Sequence, residues 1–441
     1  MRIHRLELIN FRNFEHTIFD FPERFTVLVG DNGTGKTAIL DAITISVSCL
    51  FCKFDNFKHL ERQFSDDDVR QVRYKKGQTP TIEPQYPVVF DCTAVVDGAK
   101  IAWTRQSLLV DRIVERGKTN LQVEQIVSPY IVKLSEQIQG KVRRGENILL
   151  PLIAYYGTGR LWLQNTEESV ETIKPGSRML GYVNCLDPTS NSNVLMRWLK
   201  TMEIAALQRG ESILVLDAVK TAIANCLEDC QSVRYDILED ELITTFNDGR
   251  ILPFRMLSDG FRNMFGMVAD IAYRAAVLNP QLGRDAAQQT PGIVLIDEID
   301  LHLHPKWQRR VVDDLKKTFP NIQFVATTHS PFIIQSLREG ELINLDKPAA
   351  TEEYENKSIE DITEYVMGVE IPQRSERYQK MMEAAQEYYR VLQDAKDAPP
   401  ERIEELKTKL DELTMPYSDD PAYHAFLKME REAAGLGRDK Q

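Results

Sequence analysis

Gly30-Asp31-Asn32-Gly33-Thr34-Gly35-Lys36-Thr37 constrains the fold of this chain more than any other stretch. Before it stands the apolar run Phe25-Thr26-Val27-Leu28-Val29, and after it Ala38 to Leu50 reads as an apolar helix. A glycine-rich turn between a buried strand and a helix curls the backbone so that its amides point inward. The helix N-terminus adds partial positive charge behind them. This arrangement predicts a phosphate-binding loop. Gly30, Asp31, Asn32, Gly33, Thr34 and Gly35 line it, Lys36 neutralises the β and γ phosphates of ATP, and the Thr37 hydroxyl ligates Mg²⁺. A glycine turn without a ligand is the other reading of these residues; the flanking strand and helix speak against it.

A second stretch complements the first. Ile293-Val294-Leu295-Ile296 is a continuous apolar run, as in a parallel strand covered on both faces. Asp297 and Glu298 emerge at its carboxyl end, where ligands bind in open α/β sheets. Asp297 is expected to hold Mg²⁺ and Glu298 to act as general base toward an attacking water. Capping of the next turn by an Asp-Glu pair is the alternative.

Two further segments fall at element ends. In Met256-Leu257-Ser258-Asp259-Gly260-Phe261, Ser258 reads as the N-cap of a helix running toward Leu278. Bare amides at Ser258, Asp259 and Gly260 could hold an anion. One chain does not need two phosphate sites, but a dimer can place one from each copy on the same ATP. His329, in Thr327-Thr328-His329-Ser330-Pro331, follows a strand beside the acidic one and could meet the γ-phosphate or orient Glu298. His302 and His304 have metal-like spacing but no evident third ligand, so a turn is preferred.

Strands alternate with helices over the rest of both halves, which predicts an α/β sheet with right-handed crossovers. Tyr86 to Trp103, around Asp97-Gly98, reads as an antiparallel hairpin. Asn193 to Gln208 and Glu211 to Asp229 read as amphipathic helices, and Pro305 to Phe319 as one helix. Near the end, Tyr378, Met381, Ala385, Tyr388 and Leu392 share one helical face. Past Pro399-Pro400, Ile403, Leu406, Leu410 and Leu413 share another, so a helical hairpin is expected.

Composition excludes little beyond this. The net charge of −12 argues against a generic nucleic-acid coat. The local patches Lys75-Lys76, Lys141-Val142-Arg143-Arg144 and Lys306 to Arg310 are either solvated faces or phosphate contacts. Cys49, Cys52, Cys226 and Cys230 read as packing residues without disulfides, as in a reducing compartment. Neither a signal peptide nor a membrane-spanning apolar run is evident, so a cytoplasmic protein with no membrane partner is expected.

Taken in order, the four segments resemble those of ABC-class ATPases of the RecF/SMC/OLD-like branch. Ser258-Asp259-Gly260 corresponds to the signature, Asp300 falls in the loop after Walker B, and His329 is the switch histidine. Asp259 departs from the glycine common in transporters. Ile9-Asn10-Phe11-Arg12-Asn13-Phe14 looks like the family's N-terminal strand-turn, in which Arg12 would reach toward nucleotide phosphate. Tyr156 to Arg160 corresponds to the Q-loop region, where no glutamine stands and Arg160 is the candidate residue. The interval between Thr37 and Ser258 is too short for long coiled-coil arms. Ile296 to Gln308, with Ala326-Thr327-Thr328-His329-Ser330-Pro331-Phe332 downstream, is similar to the OLD-like and PtuA-like ATPases, and Leu150 to Trp162 and Tyr417 to Gly437 also look like the PtuA-like ATPases of Septu and retron anti-phage systems.

The resemblance implies an α/β ABC-type core, a mixed sheet with flanking helices. Residues 1–163 would form its N-terminal part, 164–232 an inserted helical subdomain, 233–345 its C-terminal part, and 346–441 a helical extension able to dock a partner. It implies ATP and Mg²⁺, a homo-oligomer with composite ATP sites and a separate HNH-type nuclease. A RecF-like repair ATPase that clamps DNA is the alternative.

Overall fold

Each continuous apolar run becomes a strand buried along its whole length, and the strands lie side by side. The computed structural model describes residues 1–55, 57–76, 79–115, 118–160, 177–188, 192–346, 354–369, 376–396, 399–415 and 421–433. Trp162, the stretch 164–176 and parts of the tail, among them Tyr417, lie outside them, as do the side chains of Lys75, Lys76, Tyr378, Ile403 and Leu406. Contacts divide the chain into Met1–Ile362 and Thr363–Gln441.

The first unit begins with the antiparallel pair β1 (Arg2–Phe11) and β2 (Phe14–Asp20), followed by β3 (Phe25–Val29). The strands β4 (Gln71–Lys76) and β5 (Thr79–Pro84) pair with each other in a separate two-stranded sheet among the described residues. Next come β6 (Val88–Val96), β7 (Ala99–Glu115) and β8 (Lys118–Val127), which extend the first sheet in the order β2-β1-β6-β7-β8. The expected hairpin around Asp97-Gly98 is the β6–β7 pair. Then follow β9 (Leu152–Tyr156) and a small antiparallel sheet of β10 (Cys230–Asp236), β11 (Glu241–Phe246) and β12 (Ile251–Pro253).

The remaining strands, β13 (Gly292–Ile296), β14 (Ile322–Thr327) and β15 (Leu342–Asn344), join β3 and β9 in a wholly parallel sheet of order β15-β3-β14-β13-β9. Every residue of β3, β9, β13 and β14 is buried, as a parallel sheet covered on both faces requires. The register makes the strands end together: Ile296 lies opposite Ala326 and Tyr156, Thr327 opposite Leu28, and Asn344 opposite Val29. The buried Gln323 amide ties this sheet to the antiparallel one. Its Oε1 accepts from Ile3 N at 2.7 Å and its Nε2 donates to Ile3 O at 2.8 Å.

Helix Lys36–Ser48 follows β3 and is buried along nearly all its length. The helices Ser192–Arg209 and Leu214–Cys226 pack against Asp259–Leu278, with the Trp198 and Tyr273 ring centroids 5.2 Å apart. Cys226 ends its helix and Cys230 begins β10, so the two thiols do not share a helical face, although both are buried. The expected helix from Pro305 is broken into Pro305–Gln308 and Val311–Thr318. On the first piece the Trp307 indole donates to Glu228 at 2.5 Å, while the second buries Val311, Val312 and Leu315. No helix among the described residues is long and apolar enough to cross a membrane.

The second unit holds Glu376–Lys396, Pro400–Thr414 and Pro421–Ala433. The last helix extends the expected hairpin by one member. Tyr388, Val391, Leu392, Leu410 and Leu427 form its core, and the Tyr388 hydroxyl donates to Leu427 O at 3.1 Å. Leu410 is fully buried there. Leu410→Ala is expected to destabilise this unit by about 2–5 kcal/mol. Protease cleavage within Thr363–Gln441 should then begin at lower urea than in the wild type; an unchanged onset would count against this core.

Candidate nucleotide-binding site

Because the parallel strands end in register, five loops meet along one edge of the sheet, where ligands bind in this class of fold. Gly30–Thr37 follows β3, Gly157–Arg160 follows β9, Asp297–Glu298 follows β13, Thr328–His329 follows β14, and Leu345–Asp346 follows β15.

The glycine loop is curled and held from two sides. Lys36 Nζ donates to Gly30 O at 2.7 Å and Asp31 O at 2.9 Å. Burial lowers the pKa of the Lys36 ammonium, while the carboxylates of Asp346, Asp297, Asp31 and Glu298 pull it the other way. Gly35 sits at φ 104°, and a Cβ there would lie 2.7 Å from the Phe14 ring, so both conformation and space demand glycine. Asn13 Nδ2 donates to Gly33 O at 2.9 Å, and Asp346 Oδ2 accepts from Asp31 N at 2.7 Å. Sequence reasoning missed Asp346; its position just past a short terminal strand is the signal that could have found it.

The acidic residues meet the loop directly. Thr37 Oγ1 donates to Asp297 Oδ2 at 3.0 Å, and Thr327 Oγ1 donates to Asp297 Oδ1 at 2.7 Å. Thr327 Oγ1 also accepts from Glu298 N at 2.7 Å. Asp297 is buried, whereas the neighbouring Glu298 is partly exposed. Beneath them lies Arg160, 1% exposed. Its guanidinium donates to Gly157 O at 2.9 Å, Asp297 O at 2.5 Å and Glu298 O at 2.5 Å. Burial pushes the Arg160 pKa down to about 10, against the opposing pull of Asp297, Asp300 and Glu298.

The Ser258 segment is built as a helix start. Ser258 Oγ accepts from Phe261 N at 3.4 Å, and Asp259 pairs with Arg262 one turn on. A Cβ on Gly260 would lie 2.3 Å from His302 O, so the helix start presses on the loop after Glu298. Asn263 Nδ2 donates to Leu301 O at 3.0 Å in the same loop. Asp300 Oδ1 accepts from Thr328 Oγ1 at 2.5 Å, which joins that loop to the exposed His329. Through these bonds Ser258–Gly260, Glu298 and His329 belong to one connected structure. His304 caps the Pro305 helix, its Nδ1 accepting from Lys306 N at 3.3 Å.

Arg12 is placed differently from the loop residues. Its guanidinium donates to Asp41 Oδ2 at 2.7 Å and to Asp68 Oδ1 at 2.8 Å, and Arg62 holds the other oxygen of Asp41 at 2.6 Å. Burial opposes its charge, yet Asp41 and Asp68 outweigh burial and raise its pKa above the usual arginine value. Its neighbours Asn13 and Phe14 touch the loop, while its own side chain is bonded to Asp41 and Asp68.

Residues 5–231 match the family described as AAA domain, and a second AAA-domain family matches 207–335. The chain belongs to the AAA-domain family. It is an ABC-class ATPase of the PtuA-like type. Over 403 residues it is 27% identical to "Retron Ec83 probable ATPase" of Escherichia coli, covering 76% of this chain and 70% of that protein. "Retron Vc95 probable ATPase" of Vibrio cholerae serotype O1 biovar El Tor is 25% identical over 394 residues, covering 76% and 72%. "Septu protein PtuA" of Bacillus mycoides is 25% identical over 362 residues, covering 80% of this chain and 41% of that protein. Among solved structures, the SMC head bound to the C-winged helix domain of ScpA matches at 17% identity and a TM-score of 0.44, over 80% of this chain and 95% of that one.

The contact at Gly260 is testable. Gly260→Ala must force the helix start away from His302, and is expected to destabilise the first unit by about 1–3 kcal/mol, as overpacking does. Urea unfolding measures this; an unchanged midpoint would show that the helix start and the loop separate without cost.

Proposed function

We propose that this chain hydrolyses ATP at sites shared between two copies of itself, and that the ATP-bound assembly controls a separate nuclease in anti-phage defence. The meeting of Thr37 Oγ1 with Asp297 Oδ2 at 3.0 Å, beside Lys36, carries the ATPase reading. A hydroxyl and a carboxylate are the hard oxygen donors that Mg²⁺ takes, so these two residues fit the ion. When bound, it would offset phosphate charge.

In this reading the amides of Gly30–Thr37 cradle the phosphates, and Lys36 leaves its carbonyl partners for the β and γ oxygens. Glu298 accepts a proton from water as the water oxygen bonds to the γ-phosphorus. The bond from that phosphorus to the β–γ bridging oxygen breaks, giving ADP and inorganic phosphate. His329 contacts the γ-phosphate or orients Glu298. Ser258, Asp259 and Gly260 of a second copy close the site with the amides of a helix start.

The partner assignment is supported by likeness to the retron ATPases and Septu PtuA and by the C-terminal helices. Phe426 and Met429 on the last helix, and Met415 just past Thr414, are exposed apolar side chains suited to docking. The expected occupant is an HNH-type nuclease. Co-expression should recover the two proteins together. DNA cleavage by the rigorously pure chain would overturn the two-protein arrangement, and ATP-dependent DNA binding without a partner would favour the DNA-clamp alternative.

Two substitutions test the chemistry. Glu298→Gln is expected to bind ATP, slow its hydrolysis by about 100-fold or more, and accumulate as an ATP-dependent oligomer in size-exclusion chromatography. Wild-type turnover would remove Glu298 from the role of base. Lys36→Ala is expected to weaken ATP binding by roughly 10- to 100-fold, the loss of a charged hydrogen-bond donor. Unchanged affinity in a fluorescent-nucleotide titration would contradict the loop assignment.

A further inference from the structure

Glu298 sits at φ 50°, in the left-handed region that residues with side chains avoid. Strain of this kind persists only where the surroundings over-determine it. Here both backbone groups of Glu298 are held. Its N–H donates to Thr327 Oγ1 at 2.7 Å, and its carbonyl accepts from Arg160 Nη2 at 2.5 Å. The preceding carbonyl, of Asp297, accepts from Arg160 Nη1 at 2.5 Å.

In an extended strand the pleat turns successive peptide groups to opposite sides. Both of these carbonyls nevertheless meet one guanidinium, at the residue where the strand conformation is lost. The planar fork of arginine can reach two acceptors at once, which a lysine cannot do in the same way. Arg160 is buried, and among the described residues its Nε has no hydrogen-bond partner. Burying a cation is costly unless it is hydrogen-bonded and offset by charge, and here main-chain carbonyls supply the bonds while Asp297, Asp300 and Glu298 supply the opposing charge.

We propose that Arg160 is a positioning residue for hydrolysis: by gripping the carbonyls of Asp297 and Glu298 it holds Glu298 in its left-handed conformation and so aims the Glu298 carboxylate. This rests on Glu298 being the general base. In this proposal Arg160 acts through main-chain atoms, the carbonyls of Asp297 and Glu298.

A double-mutant cycle in the full chain tests it. Arg160→Met, Glu298→Gln and the combined variant are compared with wild type for kcat, KM, fluorescent-ATP affinity and thermal melting, with single-turnover assays for the slow variants. Arg160→Met is expected to lower kcat by about 10- to 100-fold, the scale of a misplaced catalytic group, while ATP affinity stays within about 3-fold. Added to Glu298→Gln it is expected to slow hydrolysis no further, because the group it aims is already disabled. Arg160→Lys, which keeps the charge, should recover part of kcat. If Arg160→Met does not fold, the same cycle with Arg160→Lys decides.

Wild-type kcat in a folded Arg160 variant overturns the proposal. So does an equal slowing of hydrolysis in the wild-type and Glu298→Gln backgrounds, or a loss of kcat that only tracks a loss of ATP affinity. Wild-type turnover in Glu298→Gln alone would instead remove the base assignment, and the proposal with it.

Discussion

The parallel pairing of β3, β13 and β14 is the constraint on which the rest depends. Parallel strands in register end on the same side, so the glycine loop, the acidic pair and the His329 loop must emerge as neighbours. No long-range contact between side chains has to bring Thr37 to Asp297, because the backbone ladders already do so. The Thr37–Asp297 and Thr327–Asp297 bonds then set the finer geometry. A register shift in β13 would turn its side chains to the other face and lose both.

Charge is placed in layers around this edge. The carboxylates of Asp297, Glu298 and Asp346 crowd a site that is proposed to bind a still more negative nucleotide. Two cations offset them from within, Lys36 in the loop and Arg160 beneath the acidic pair. Arg12 completes a separate network with Asp41, Asp68 and Arg62 that clamps the strand-turn to the helix leaving the loop. A further buried pair, Arg274 with Asp270, takes the Tyr156 hydroxyl as its third member and locks the Asp259–Leu278 helix to β9. Buried pairs of this kind contribute little net stability but are costly to break singly. They make the relative position of sheet and helix hard to change piecemeal.

Much of the site was legible before any fold was known. Glycines at Gly33 and Gly35, a lysine and a threonine between an apolar strand and an apolar helix leave few other structures. The Ile293–Ile296 run announces its own burial, and Ser258 announces a cap that the structure contains. What could not be read is of another kind. Asp346 and Thr327 matter because of the residue across the ladder, which no local pattern records. The left-handed turn at Glu298 occurs at a residue type that ordinarily avoids it, so propensity points the wrong way. The break after Gln308 and the third helix of the second unit reflect packing on distant residues, Glu228 for Trp307 and Tyr388 for Leu427.

The sequence alone determined which chemical groups are proposed to meet a phosphate: backbone amides of a glycine turn, one lysine, one hydroxyl, two carboxylates and a second helix start. Local patterning suffices for these because each sits at a strand or helix end that its own neighbours specify. Only the tertiary structure decided what holds those groups in place. The Phe14 ring against Gly35, His302 against Gly260 and Arg160 under Glu298 are contacts between segments far apart in the chain. They exist because the sheet closes the distance, and no spacing along the sequence encodes that closure.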